Sequence, residues 1–159
     1  KMLKDKGCRV DAVGMQSHCG LDYPDLTDYE QSIQAFIAAG VNVQFTELDI
    51  NVLPNPKGFG GAAIEQNSAY REQIDPYRKA LPKKVERQLT SRYLDLFRLY
   101  RKYADHVNRV TLWGVYDKTS WLNGWPVPGR TNYPLFFDRD YKAKPVVKEV
   151  VNLLTDKQK

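Results

Sequence analysis

Helix-like and strand-like segments alternate strictly along this chain, and that order restricts its fold more than any other feature. Lys1–Lys6 reads as the end of a helix stopped by Gly7, and Val10–Ser17 follows as an apolar, partly alternating strand. A helix capped by Asp25 or Thr27 carries Ile33, Phe36 and Ile37 on its apolar face and ends at Gly40. Val41–Ile50 is the second strand. The longest helix, about Val85–Ala104, repeats Leu89, Tyr93, Leu96, Phe97 and Tyr100 on one face. Arg109–Tyr116 makes a third strand, and a helix over Pro145–Leu154 follows, with Pro145 suited to its first position. Such alternation calls for parallel strands with helical crossovers, an α/β architecture. Three parallel strands by themselves leave both edges open. The first residue is a lysine within a helical segment, so the chain is expected to be part of a larger α/β protein.

Composition narrows the function classes. The 159 residues, 42% of them hydrophobic, suffice for one modest core and exclude a disordered chain. No run of about 18 apolar residues exists, so no membrane span is expected, and the polar start KMLKDKGCRV is not a signal peptide. Cys8 and Cys19 flank an extended stretch of about 35 Å, too far for a disulfide. His18 and His106 lack metal-ligand spacing, so no metal site is expected. The net charge of +5 and the basic residues Arg87, Arg98, Arg101 and Lys102 on the long helix make the whole case for nucleic acid. That face has no interleaved exposed aromatics and the chain has no nucleic-acid motif, so no such partner is expected.

In parallel α/β folds, functional groups gather at the carboxyl ends of the strands. Three clusters fall there: Gln16-Ser17-His18, Glu47-Leu48-Asp49, and the segment from Trp113 to Trp121. Residues two apart on a strand share a face, so Glu47 and Asp49 point the same way. His18, at the end of the adjacent strand, is placed to bridge them and to orient Glu47 without itself reacting. Trp113 and Trp121 offer flat apolar faces suited to sugar rings, although large aromatics are more often core. Trp125, in a Pro-rich loop, reads as local packing. Tyr23 reads equally as a sugar contact or as loop packing, and Asp117 and Asn123 as shaping the tryptophan loop. The connection from Asn51 to about Lys84, with Pro54, Pro56, Pro76, Pro82 and GFGG at 58–61, is long enough to suggest a part in shaping a cleft.

MQSH at 15–18, TELDI at 46–50, WGVYDKTSW at 113–121, PGR at 128–130 and YPLFFD at 133–138 resemble the family 10 glycoside hydrolases, mostly endo-β-1,4-xylanases on a (β/α)8 barrel. The resemblance runs from about Val10 to Leu154. It implies that residues 1–159 are the C-terminal portion of one catalytic barrel, strands six to eight with flanking helices, and that strands one to five are absent from this chain. It makes Glu47 the nucleophile of a retaining mechanism, with His18 and Asp49 orienting it. Gln16, Trp113, Trp121 and Arg130 become substrate-binding residues, the tryptophans on the non-reducing side of the cleaved bond. The implied substrate is xylan or a xylo-oligosaccharide, and no cofactor is implied. The implied location is secreted, periplasmic or cell-surface, since polymeric xylan cannot enter a cell.

The family's acid/base glutamate belongs to a W-D-x-x-N-E type motif on the fourth strand, and this sequence has none. Retaining hydrolysis needs two carboxyls about 5–5.5 Å apart on opposite sides of the bond. Asp49 lies beside Glu47 and does not substitute. The expected partner is therefore the N-terminal half of the barrel, from the same or a separate chain. The alternative is a catalytically inactive xylan-binding fragment.

Overall fold

Val43, Phe45, Leu48 and Ile50 are wholly buried, and they organise the packing around one central strand. The computed structural model of the chain describes residues 2–54 and 72–156. Its elements in chain order are α1 (Met2–Asp5), β1 (Ala12–Met15), β2 (His18–Gly20), α2 (Leu26–Ala38), β3 (Asn42–Asn51), α3 (Lys83–Lys102), β4 (Val107–Leu112) and α4 (Pro145–Thr155). All pairings are parallel: β3 takes β1 and then β2 along one side and β4 along the other.

The first strand expected from sequence is thus two pieces. Ser17 interrupts it in the left-handed region, φ 69°, rare for a residue with a side chain. Its hydroxyl bonds the Tyr29 hydroxyl at 2.7 Å, which holds the break in place. Opposite it, β3 carries an extra residue. Met15 pairs with Phe45 but His18 with Asp49, and on the other side Phe45 pairs with Val110 but Leu48 with Leu112. A bulge of this kind shifts the alternation of faces by one. The core residues accordingly change from odd to even positions, Val43 and Phe45 before the bulge, Leu48 and Ile50 after it. Glu47 and Asp49 are left on the face turned away from the helices.

The helices close over the other face. Tyr29 and Ile33 of α2, Leu89, Tyr93, Leu96, Phe97 and Tyr100 of α3, and Val146 and Val150 of α4 form one buried cluster with β3. Phe45 and Tyr100 stack with centroids 4.0 Å apart. Each such fully buried side chain contributes about 1.5–3 kcal/mol. Of the two cap candidates for α2, Asp25 holds the position, accepting from the Thr27 and Asp28 amides. Gly40 lies just past the helix end at φ +76°. The basic face of α3 is largely used within the chain: Lys102 pairs with Glu30 at 2.6 Å, Arg98 with Asp95 at 2.9 Å, and Arg101 donates to the Leu153 and Asp156 carbonyls.

The third strand ends at Leu112, earlier than its apolar sequence suggests. Gly114 turns the chain at φ +135°, and a Cβ there would meet Leu135 at 2.8 Å. Cys8 is exposed and Cys19 buried, and both are free thiols. No helix among the described residues is long and apolar enough to cross a membrane. The GFGG stretch at 58–61 lies outside the described residues.

Candidate active site

His18 lies between two carboxyl groups. Its Nδ1 is 3.0 Å from Asp49 Oδ1 and its Nε2 is 3.1 Å from Glu47 Oε2. The backbone fixes this arrangement before the side chains do. The Glu47 amide donates to the Gln16 carbonyl at 2.9 Å, and the Leu48 carbonyl accepts from the Trp113 amide at 3.0 Å. Asp49 is completely buried, whereas the side chains of Glu47 and His18 are about one-quarter exposed, at 22% and 26%. The Trp121 indole N–H donates to the second Asp49 oxygen at 2.7 Å. Burial pushes the Asp49 carboxyl above its ordinary range and the nearby Glu47 charge adds to this, while the Trp121 and His18 hydrogen bonds oppose it. Each imidazole–carboxylate contact is a hydrogen bond only if a proton lies in it. Both contacts are hydrogen bonds at once only when the three groups hold two protons between them.

Beside this cluster, the segment after β4 presents three indoles. Trp113 is 45% exposed, Trp121 38% and Trp125 59%. The His18 ring lies 4.8 Å from Trp121 and 6.5 Å from Trp113, centroid to centroid. Hydrogen bonds hold the segment in shape. The Asn123 amide donates to the carbonyls of Asp117, Lys118 and Ser120, and its oxygen accepts from the Asn132 amide at 2.9 Å. Underneath, Asp117 pairs with Lys144 at 2.7 Å, both buried, and accepts from the Leu135 amide.

The sequence profile of glycosyl hydrolase family 10 matches residues 1–153. The chain belongs to this family. It is 63% identical over 153 residues to "Endo-1,4-beta-xylanase A" of Xylanibacter ruminicola, covering 96% of this chain and 42% of that protein. It is 35% identical to "Endo-1,4-beta-xylanase" of Geobacillus stearothermophilus, with the same two coverages. Among solved structures, a GH10 endoxylanase from a sugarcane soil metagenome superposes with TM-score 0.84 at 41% identity, over 96% of this chain and 42% of that one. GH10 from Paenibacillus barcinonensis gives 0.79 at 31% identity, over 97% and 39%. The chain thus spans about two-fifths of the length of these relatives, and its sheet and helices are a C-terminal part of the family's (β/α)8 barrel.

Of the site residues expected from sequence, Glu47, His18, Asp49 and Trp121 form one hydrogen-bonded group in this family 10 chain, with Trp113 against its edge. Gln16 is exposed beside it, its carbonyl holding the Glu47 amide. Arg130 departs from the expectation of a substrate contact. It is buried, and its guanidinium donates to the backbone carbonyls of Trp125 at 2.8 Å and Pro54 at 3.2 Å. A charge that reaches no solvent and satisfies loop carbonyls fastens loops together. Trp125 departs the other way, exposed where packing was expected. Tyr23 divides its roles: it is partly exposed, yet covers Gly20 so closely that a Cβ there would fall 2.0 Å from its ring. Sequence reasoning missed the Trp121–Asp49 bond, because nothing in a tryptophan's neighbours reveals where its N–H points. Among the described residues, no group of three or more His, Cys, Asp and Glu is arranged to hold a metal ion.

Proposed function

We propose that this chain supplies the nucleophile and the sugar-stacking wall of a retaining endo-β-1,4-xylanase. The observation that carries this reading is the bridge from Glu47 through His18 to buried Asp49, at the carboxyl end of the central strand of a family 10 chain. Its relatives named xylanases supply the substrate class. Glu47 attacks the anomeric carbon of a xylosyl residue and forms a glycosyl ester. A second carboxyl, contributed by the rest of the barrel, protonates the leaving oxygen and then activates the water that hydrolyses the ester. Both tasks belong to carboxyl groups, so the chemistry calls for no cofactor.

His18 and Asp49 are positioning residues in this mechanism. While an N–H of His18 points at Glu47, one carboxylate oxygen is held and the other is left to attack. As the ester forms, Glu47 loses its negative charge, and the proton in the His18–Asp49 contact can shift to follow. Trp113 and Trp121 receive the apolar C–H faces of sugars on the non-reducing side. Polymeric xylan as substrate puts the site of action outside the cell.

The test uses the whole enzyme containing this chain. Glu47→Gln keeps shape and removes the nucleophile, so turnover of xylan falls by at least about a thousandfold while oligosaccharide binding persists. Turnover near the parent's rate would sink the assignment. Nuclear magnetic resonance of the first-formed product shows retention at the anomeric carbon, and inversion would overturn the mechanism.

A further inference from the structure

We infer that Trp125 forms an additional sugar subsite, outward of Trp121 on the same wall; this rests on the xylanase reading of the cleft. The two indoles are nearly parallel, 20° between planes, with centroids 6.4 Å apart. Trp125 is the most exposed of the three tryptophans, at 59%. A sugar chain running along the Trp121 face therefore meets a second flat apolar surface in nearly the same orientation.

The loop is built to hold that ring out. Leu122 and Val127, on either side of it in sequence, are buried and anchor the segment. Arg130 grips the Trp125 carbonyl at 2.8 Å, and its own amide donates to the Asn123 carbonyl at 2.9 Å. The same guanidinium reaches the Pro54 carbonyl and ties the loop to the chain beyond β3. An exposed indole on a backbone fastened this way has little freedom left to lose when a ligand stacks on it. The buried arginine thus acts on substrate indirectly, through the tryptophan it positions.

The test compares aryl β-xylobioside with aryl β-xylotetraoside, which share a leaving group and differ only in reach on the non-reducing side. In the whole enzyme, Trp125→Ala lowers the ratio of kcat/KM for the tetraoside to that for the bioside by about tenfold, and Trp125→Phe lowers it less. The ring is exposed, so the melting temperature stays at the parent's value. An unmoved ratio in Trp125→Ala, with Glu47→Gln inactive on both glycosides, would overturn the subsite alone. Turnover of both glycosides by Glu47→Gln would overturn the reading of the cleft beneath it.

Discussion

Asp49 and Asp117 are both carboxyls with no solvent exposure, about 70 residues apart in sequence, and burial raises both above the ordinary range. Their partners separate them. Asp49 faces an imidazole, an indole N–H and, through the imidazole, a part-exposed glutamate. Asp117 faces the buried ammonium of Lys144, which also donates to the Tyr133 carbonyl at 2.8 Å. The Asp117–Lys144 pair joins the post-β4 segment to the start of α4. Burial alone therefore does not tell the two carboxyls apart; their partners do, and those of Asp49 lead to the part-exposed Glu47.

The difference can be broken at either end. The largest effect is expected at Lys144→Met, which leaves Asp117 without its counter-charge and costs about 3–5 kcal/mol in chemical denaturation. The double variant Asp117→Asn, Lys144→Met costs less. Desolvation outweighs mutual attraction in this pair, with the carboxyl raised to about 6 and the ammonium lowered. A double variant as unstable as Lys144→Met would show that packing dominates.

Next comes pH. Asp117 holds its proton more tightly folded, at about 6, than unfolded, near 3.8. Between these values the folded state binds more protons, so this group's contribution to stability falls as pH rises from about 4 to about 6. The loss is at most about 3 kcal/mol. The parent should thus lose stability relative to the double variant across that window, and parallel pH curves would contradict the assignment.

At the Asp49 end the readout is turnover. Asp49→Ala removes the anchor of His18 and lowers kcat about a hundredfold in the whole enzyme. Asp49→Asn still accepts from Trp121 and donates to His18, so it retains more activity than the alanine variant. Equal losses would mean that the negative charge, rather than the hydrogen-bond pattern, is what Asp49 supplies. The smallest change is Trp121→Phe, which keeps an aromatic face and loses the N–H held by Asp49. It lowers kcat about tenfold, with KM changing less; a loss confined to KM would reduce Trp121 to a platform.

Much of this was legible in the sequence because it depends on local spacing. Apolar residues at helical intervals placed Leu89, Tyr93, Leu96, Phe97 and Tyr100 in the core, and all five are buried there. Asp25 marks a helix start through its side-chain cap, and Gly40 and Pro145 mark helix ends through their backbone preferences. The two-residue spacing of Glu47 and Asp49 on a strand put both on one face, with His18 in reach across the sheet.

Other features had no local signal. The bulge in β3 depends on registers with two neighbouring strands, and the break at Ser17 on a hydroxyl twelve residues away. Arg130 was expected to bind substrate and is buried, whereas Trp125 was expected to pack locally and is exposed. The reason is geometric. Periodicity and capping are set by bonds within a few residues, so the sequence by itself determined the elements and their faces. The guanidinium of Arg130 and the indole N–H of Trp121 meet partners 76 and 72 residues away. Only the tertiary structure, by closing those distances, decided which polar groups are spent on architecture and which stay exposed.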